Sequence, residues 1–193
     1  MNLRRDKAIV FDRDGTLIKH VHYLFDPAYV ELQSDTIEAI ELARGHDITL
    51  IVHTNQSGVG RGMFSMDDVQ RVNSKMLDLI GKGPDVFTRI CIAPENPEEP
   101  SLYRKPSTRL VEEIEMNYGI SRKDVVYVGD RVIDLETAYR SGTKGVGVAT
   151  GLVDIRDEIK SMPHLNQFRI ETTLLRAVQC AIEQLWLAAS DRS

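Results

Sequence analysis

Five short apolar runs, each followed by a stretch with helical periodicity, constrain the fold of this chain more than any other feature. We predict strands over 7–12, 48–53, 86–93, 125–130 and 145–149. Runs rich in valine and isoleucine on both faces are typical of strands that helices cover on both sides. Because strands that alternate with helices form right-handed βαβ units, the sequence predicts an α/β fold with a doubly wound, mostly parallel sheet.

The stretches between these runs carry signals for helix starts and ends. We predict helices over 35–44 with Ser34 as the N-cap, from Ser65 to Ile80 with Gly81 as the end, from Ser107 to Gly119, over 134–141 before Gly142, and over about 171–189 at the C-terminus. The sequence shows no repeat and no long linker. We therefore expect a single domain over 1–193, with its core at about 7–151.

Composition narrows the class of protein. Of 193 residues, 27% are charged and 42% are hydrophobic, which is ordinary for a soluble globular protein. The formal net charge of -5 argues against a nucleic-acid partner, which normally requires a basic patch. Cys91 and Cys180 follow no paired pattern and are typical of free thiols in a reducing cytoplasm. No apolar run reaches membrane-spanning length, so we expect a cytoplasmic monomer without a membrane partner.

The first predicted strand ends in two carboxylates, Asp12 and Asp14, within the sequence Val-Phe-Asp-Arg-Asp-Gly-Thr-Leu at 10–17. Two anions this close repel each other unless a cation lies between them, and hard oxygen ligands suit Mg²⁺. An ordinary turn at a strand exit also contains aspartate and glycine. The polar clusters further along the chain distinguish the two interpretations.

Three more polar clusters follow predicted strands or precede a predicted helix. Thr54 opens a glycine-rich stretch that could hold phosphate oxygens or could be a flexible polar loop. Lys105, in Arg-Lys-Pro, offers a compact positive charge, although surface pairs of this kind are usually solvated. Asp130 ends the fourth strand, and Asp134 lies one helical turn later, either in the same site or as a carboxylate favoured at a helix start. Doubly wound sheets bind ligands at such strand ends.

Taken together, the four clusters resemble the haloacid dehalogenase superfamily of phosphotransferases over about 7–151. The closer likeness is to its phosphatases for D-glycero-D-manno-heptose 1,7-bisphosphate and for histidinol phosphate. It rests on Asp-Arg-Asp-Gly-Thr at 12–16, Thr-Asn-Gln-Ser-Gly at 54–58 and Arg-Lys-Pro at 104–106.

The resemblance implies a role for each residue. Asp12 would attack phosphorus and form an aspartyl-phosphate, and Asp14 would serve as general acid and then as general base. Thr54 and Lys105 would bind the transferring phosphoryl group. The residues implied for Mg²⁺ are Asp12, Asp14 through its backbone carbonyl, Asp130 and, in support of the metal ligands, Asp134.

Larger members of the superfamily insert a cap domain after the first or second motif. Here about forty residues separate Asp12 from Thr54 and about fifty separate Thr54 from Lys105, and the predicted elements fill most of each interval. We therefore expect a capless enzyme whose loops 19–29, 56–64 and 94–103 select the substrate. The side chains best placed to bind a phosphorylated sugar are His20, Tyr23, Asn55, Gln56, Ser57, Arg61, Arg104 and Arg131. A solvated flap explains His20 and His22 equally well.

One stretch departs from the resembling phosphatases. They carry a zinc loop with a Cys-x-His pair and then a Cys-x-Cys pair directly before Arg-Lys-Pro. Here the two stretches read Cys91-Ile-Ala-Pro-Glu and Ser101-Leu-Tyr-Arg, so one of the four ligands is present. A structural zinc site needs about four nitrogen or sulfur ligands, so no zinc is expected.

The sequence thus predicts a Mg²⁺-dependent phosphoric monoester hydrolase, with the C7 phosphate of a heptose 1,7-bisphosphate as the leading substrate. The alternatives are a histidinol-phosphate phosphatase, a polynucleotide 3′-phosphatase and a non-catalytic protein on the same fold. The acidic balance argues against the polynucleotide. Asp12, Asp14, Lys105 and Asp130 are all present, which argues against a protein that has lost its activity.

Overall fold

The computed structural model describes residues 6–190, with side chains through residue 187. The first five and the last three residues of the predicted domain lie outside the described residues. Six strands form one sheet in the order β3-β2-β1-β4-β5-β6, and every neighbouring pair is parallel. The strands are β1 Ala8–Phe11, β2 Thr49–Asn55, β3 Arg89–Ala93, β4 Val125–Gly129, β5 Lys144–Val148 and β6 Arg169–Glu171.

Helices connect these strands and cover both faces of the sheet. They are α1 Thr36–Gly45, α2 Ser57–Gly60, α3 Met66–Ile80, α4 Arg109–Tyr118, α5 Val132–Ser141, α6 Ile155–Glu158 and α7 Leu174–Ser190. Short 3-10 turns lie at Pro27–Tyr29, Pro84–Val86, Arg122–Asp124, Ile159–Ser161 and Pro163–Leu165. The predicted α/β class with a doubly wound parallel sheet is confirmed.

Alternate residues of the central strands face opposite sides of the sheet, which is why the strands are apolar throughout. In β1, Ile9 and Phe11 pack into a core with residues of α1, α3 and α7. Ala8 and Val10 pack into a second core with residues of α4. Since β1 and β4 are completely buried, polar side chains appear only where these strands end.

Helix α3 has the ends that the sequence predicts. Ser65 accepts a hydrogen bond from the Asp68 backbone, the Asp68 carboxylate accepts one from the Ser65 backbone, and Gly81 ends the helix at φ +66°. Such a capping box and left-handed glycine satisfy backbone groups that would otherwise have no partner. Helix α3, which supports the loop that follows β1, is therefore stabilised at both ends.

Several predicted boundaries are wrong. Strand β2 continues to Asn55 because Thr54 and Asn55 pair with β3, and β3 begins only at Arg89 because a 3-10 turn occupies Pro84–Val86. Helix α1 begins at Thr36 and not after Ser34. Asp35 stands at its N-cap position without capping it, because its carboxylate accepts a hydrogen bond from the Leu175 backbone of α7.

The C-terminal part differs most from the prediction. The helix predicted from residue 171 begins at Leu174, because Arg169–Glu171 forms the edge strand β6 against Val146–Val148 of β5. The intervals after β1 and after β2 hold only turns and the helices α1, α2 and α3, without a separate folded unit. Among the described residues, no helix combines the length and apolarity needed to cross a membrane.

Candidate active site

The polar side chains predicted from four separate motifs meet at the C-terminal ends of β1, β2 and β4. The sheet order places β1 between the other two strands, so Asp12, Thr54 and Asp130 converge there. They border a cavity of about 410 Å³. Its lining residues are Asp12, Asp14, His20, Thr54, Asn55, Arg104, Lys105, Asp130, Arg131, Val132, Ile133 and Asp134.

Lys105 lies at the bottom of this cavity between two carboxylates. Its Nζ is 2.7 Å from Asp12 Oδ1 and 2.5 Å from Asp134 Oδ1, and the residue is 3% exposed. Burial lowers the pKa of Lys105, but the two carboxylates outweigh burial and raise the pKa above its ordinary value. Lys105 therefore remains a cation, fixed beside the predicted nucleophile.

Three buried carboxyl groups lie close together beside Lys105. One oxygen from each of Asp12, Asp130 and Asp134 lies within 4.8 Å of the others. Burial and mutual repulsion raise the pKa of Asp130 from 3.8 to about 9; burial also raises that of Asp12 to about 6, despite the opposing charge of Lys105. Asp130 Oδ1 accepts a hydrogen bond from Thr16 at 3.0 Å, whereas its buried Oδ2 has no hydrogen-bond partner. This excess of hard oxygen donors over cations fits a divalent metal ion.

Three glycines allow this close packing of carboxylates. A Cβ on Gly129 would lie 2.3 Å from the Asp134 carboxylate. On the other side, Cβ atoms on Gly15 and Gly151 would lie 2.3 Å and 2.1 Å from Asp130 Oδ2. Gly15 also has a φ of +90°, which a larger residue adopts only with strain. Side chains at these positions would displace the acidic groups.

Asp14 is held by four hydrogen bonds from the protein. Arg13 donates from Nε to Oδ2 at 3.0 Å and from Nη2 to Oδ1 at 3.2 Å. Gln56 and the Thr54 hydroxyl donate to Oδ2 at 2.8 Å and 3.3 Å, and Gln56 also donates to Thr54. Gln56, predicted as a substrate contact, thus directs its amide nitrogen at two other site residues.

The loop that carries Lys105 is fastened to the end of β2. Asn55 accepts from the Lys105 backbone nitrogen at 2.9 Å and donates to its carbonyl at 3.3 Å. His53 Nε2 lies 2.6 Å from the Tyr103 carbonyl, and its Nδ1 lies 3.2 Å from the Tyr127 hydroxyl. Burial and the charge of Lys105 lower the pKa of His53 to about 3, so the imidazole is neutral and donates to the loop.

A second cavity of about 280 Å³ shares Asp14, His20, Asn55 and Arg131 with the first. Its outer wall is aromatic: the Tyr23 ring lies 6.3 Å from that of Phe64, which stacks with Phe25. The Phe64 ring packs so closely on α2 that a Cβ on Gly58 would lie 2.1 Å from it. The predicted contacts Ser57 and Tyr23 line this cavity and not the first one.

The three predicted arginines have different surroundings. Arg104 is half-buried, and its Nη1 is buried without a hydrogen-bond partner. Burial and the positive charge of Arg61 lower the pKa of Arg104, whereas Arg61 itself is exposed and lines neither cavity. Arg131 lines both cavities, but its Nη2 forms an ion pair with Glu158 at 2.7 Å.

Sequence reasoning missed the residues that support the site from outside the cavities. Arg13 carried a visible signal, since a charged residue directly after a buried strand and between two acids needs a partner. Thr150 and Gln33 donate to the Gly15 carbonyl at 2.7 Å and 3.1 Å, and Glu158 binds Arg131. They lie 135, 18 and 27 residues away from these partners, and no motif spacing indicates them.

Comparisons with known proteins show the family of the chain. A family model described as polynucleotide kinase 3 phosphatase matches residues 7–142. The D-glycero-D-manno-heptose-1,7-bisphosphate 7-phosphatase of Chlorobaculum tepidum is 31% identical over 158 residues, which cover 75% of this chain and 79% of that protein. The D-glycero-alpha-D-manno-heptose-1,7-bisphosphate 7-phosphatase of Photorhabdus laumondii is 31% identical over 150 residues, or 74% of this chain and 81% of that protein.

A solved structure has the same fold. The crystal structure of the D,D-heptose 1,7-bisphosphate phosphatase from B. bronchiseptica, complexed with magnesium and phosphate, superimposes with a TM-score of 0.82. The match covers 92% of this chain and 99% of that one at 24% identity. At that identity the likeness supports the fold alone.

Fold, site and sequence matches define a phosphatase of the haloacid dehalogenase superfamily. Within it, the chain belongs to the family that the polynucleotide kinase 3 phosphatase model describes, and it is related to the heptose-1,7-bisphosphate 7-phosphatases. The resemblance predicted from the four polar clusters is thereby confirmed, and the chain is a phosphoric monoester hydrolase.

Proposed function

We propose that this phosphatase removes the C7 phosphate of D-glycero-D-manno-heptose 1,7-bisphosphate and leaves the 1-phosphate. The observation that carries the proposal is the buried arrangement of Asp12, Lys105 and Asp130 in a chain whose relatives bear that name. Asp12 is the nucleophile: its carboxylate forms a bond to phosphorus as the bond from phosphorus to the sugar oxygen breaks. Asp14 lines the same cavity and protonates that oxygen.

The second half of the reaction uses the same two residues. Asp14 takes a proton from a water molecule, which attacks phosphorus and releases phosphate and free Asp12. Lys105 neutralises charge on the phosphoryl oxygens and Thr54 orients them through its hydroxyl, because both residues border the cavity that contains Asp12. Asp134 keeps Lys105 in place through their ion pair.

Mg²⁺ is the metal that we assign to the acidic cluster. Asp12, Asp130 and the backbone carbonyl of Asp14 would hold it, in line with the partnerless buried Asp130 oxygen. When bound, a divalent cation neutralises charge on the phosphoryl group and on the carboxylates around it. Asp134 would support these ligands, and it binds Lys105.

The rim of the site, formed by 20–25, 57–64, Arg104 and Arg131, selects the substrate in this proposal. Arg104, with its partnerless Nη1 and with Arg61 nearby, is suited to the distal phosphate, since two adjacent guanidinium groups favour an anion. His20, Asn55 and Arg131 line both cavities and would contact the sugar, as would Gln56, Ser57 and Tyr23, which line the second cavity.

A polynucleotide 3′-phosphatase is the second candidate, because the description of the matching family model names that activity. A 3′-phosphorylated strand needs a track of cations along several phosphates. The net charge of -5 and the two adjacent rim arginines, Arg61 and Arg104, favour a small bisphosphate instead.

A kinetic comparison of substrates tests the proposal. We would measure kcat/KM with Mg²⁺ for both anomers of the heptose 1,7-bisphosphate, for heptose 7-phosphate, for histidinol phosphate and for a 3′-phosphorylated oligonucleotide. The heptose bisphosphate should give the largest value by at least about tenfold. A larger value for histidinol phosphate or for the oligonucleotide would replace the proposed substrate, and no hydrolysis of any ester would refute the assigned chemistry.

A further inference from the structure

Arg13 is completely buried, and its guanidinium group donates hydrogen bonds to two side chains, those of Asp14 and Asn73. Two nitrogens bind the two carboxylate oxygens of Asp14, at 3.0 Å and 3.2 Å. A third nitrogen, Nη1, donates to Asn73 Oδ1 at 2.8 Å. Arg13 lines neither cavity, so its function concerns Asp14 and not the substrate directly.

Asn73 holds the Arg13 side chain in place by accepting a hydrogen bond from its Nη1. It is the buried polar residue on a face of α3 that otherwise buries Val69, Val72, Met76 and Ile80. A polar group in such surroundings is unfavourable unless it is hydrogen-bonded, and Asn73 finds its partner in Arg13. Because α3 is capped at both ends, the helix holds Asn73 in place. Asn73 in turn holds the Arg13 guanidinium group against Asp14.

We propose that Arg13, held by Asn73, is a positioning residue that orients Asp14 toward the oxygen that leaves phosphorus. This inference rests on the proposed function, in which Asp14 delivers a proton to that oxygen. A guanidinium fork bound to both carboxylate oxygens fixes the plane of the carboxylate, which one point charge cannot do. Gln56 and Thr54 add donors on one oxygen only, so Arg13 supplies the contact that sets the rotation.

The experiment separates positioning from general stability through the leaving group. A sugar phosphate releases a poor leaving group that needs a proton as the ester bond breaks, whereas 2,4-dinitrophenyl phosphate releases a stable phenolate that does not. Proton transfer contributes about 10²–10⁴-fold when the acid is correctly placed. We would measure kcat and KM of the full chain with Mg²⁺ on both esters.

Asn73→Ala should lower kcat/KM for the heptose bisphosphate about tenfold and change kcat/KM for the dinitrophenyl ester by less than about twofold. We compare kcat/KM because it reports the steps through departure of the leaving group, whereas kcat also includes hydrolysis of the aspartyl-phosphate, in which Asp14 serves as the base for both esters. Asn73→Asp keeps the acceptor oxygen and should restore most of the wild-type ratio. Val72→Ala is the matched control, because it removes buried carbon from the same face of α3 and leaves the hydrogen bond between Arg13 and Asn73 in place. It should leave the ratio of the two rates unchanged.

A double-mutant cycle completes the test. Once Asp14→Asn has removed the acid, Asn73→Ala should cause no further change in the ratio of the two rates. Equal losses of kcat/KM on both esters, or an undiminished effect in the Asp14→Asn background, would overturn the positioning role. If Asn73→Ala does not fold, the same comparison between Asn73→Ser and Asn73→Asp decides the question. If the heptose ester is not a substrate, the alkyl phosphate hydrolysed fastest replaces it, so the proposed substrate and the positioning role fail separately.

Discussion

The floor of the site and its rim are built by different means. The floor, formed by Asp12, Lys105, Asp130 and Asp134, is buried and held by short ion pairs at the ends of central strands. The rim, formed by 20–25, 57–64, Arg104 and Arg131, contains partly exposed aromatic rings and a guanidinium nitrogen of Arg104 without a partner. Burial fixes the groups that break the ester, whereas exposed loops remain free to fit a leaving group.

The floor should be the more sensitive region. We expect Asp12→Asn to reduce turnover roughly 10⁴-fold or more on every phosphate ester, because an amide is a poor nucleophile. The fold should remain, since the change removes one of three crowded carboxylates. Steady-state kinetics and circular dichroism check both points. Turnover near the wild-type level would contradict the aspartyl-phosphate mechanism.

Crowding of the floor can be tested without changing a polar group. Gly151→Ala places a Cβ about 2.1 Å from Asp130 Oδ2, an oxygen that also lies close to the Gly15 backbone. We expect at least about a tenfold loss of Mg²⁺ affinity and of kcat/KM at limiting Mg²⁺. Gly45→Ala, with nothing within 4 Å of the new Cβ, is the control and should behave as wild type. Equal behaviour of both variants would show that Asp130 tolerates displacement.

Charge on the floor predicts a pH dependence of metal binding. Since burial and neighbouring carboxylates raise the pKa of Asp130 to about 9, its metal-free form carries a proton at neutral pH. Mg²⁺ must displace that proton, so the affinity should rise between pH 6 and 9, by at most about tenfold per pH unit. The metal-free fold binds more protons than the unfolded chain, so its Tm should fall over the same range. Calorimetry in two buffers measures the proton release, and a pH-independent affinity would contradict the assignment.

The rim should affect preference and not chemistry. Arg104→Ala should reduce the preference for the heptose bisphosphate over its 7-phosphate by about tenfold or more, as expected from the loss of a charge-assisted contact of about 1.5–3 kcal/mol. Hydrolysis of p-nitrophenyl phosphate should change little. Arg131→Ala should have a smaller effect, because Glu158 already binds that side chain. An unchanged preference in the Arg104 variant would remove the distal phosphate from the rim.

The smallest effect concerns zinc. Cys91 is the one cysteine of the zinc loop that is present, and burial raises the pKa of its thiol to about 11, which makes the proton release required for zinc binding less favourable. We expect less than about 0.1 zinc per chain in elemental analysis of the purified protein. One zinc per chain would show that other residues complete a site around 91–104.

The residues of the floor were predictable from the sequence, because they lie in short contiguous motifs at or near strand ends. Asp12 and Asp130 each follow an apolar run, and parallel topology brings such ends together. Contacts between distant segments were not predictable in this way: nothing in the sequence pairs Arg131 with Glu158, or Arg13 with Asn73 at a distance of 60 residues. Strand β6 was missed because three residues in a polar stretch carry no periodicity.

Strand β6 also bears on aggregation of the protein, because it forms one edge of the sheet. It covers Val146–Val148 of β5, an apolar strand that would otherwise offer unpaired backbone groups along one side. β6 is only three residues long, and its two ends are charged, Arg169 and Glu171. Short, charged edge strands discourage the addition of further strands. Residues beyond 151, which the prediction placed outside the core, therefore cover this edge of the sheet. We expect a chain shortened to that core to expose the backbone of β5 and to aggregate more readily.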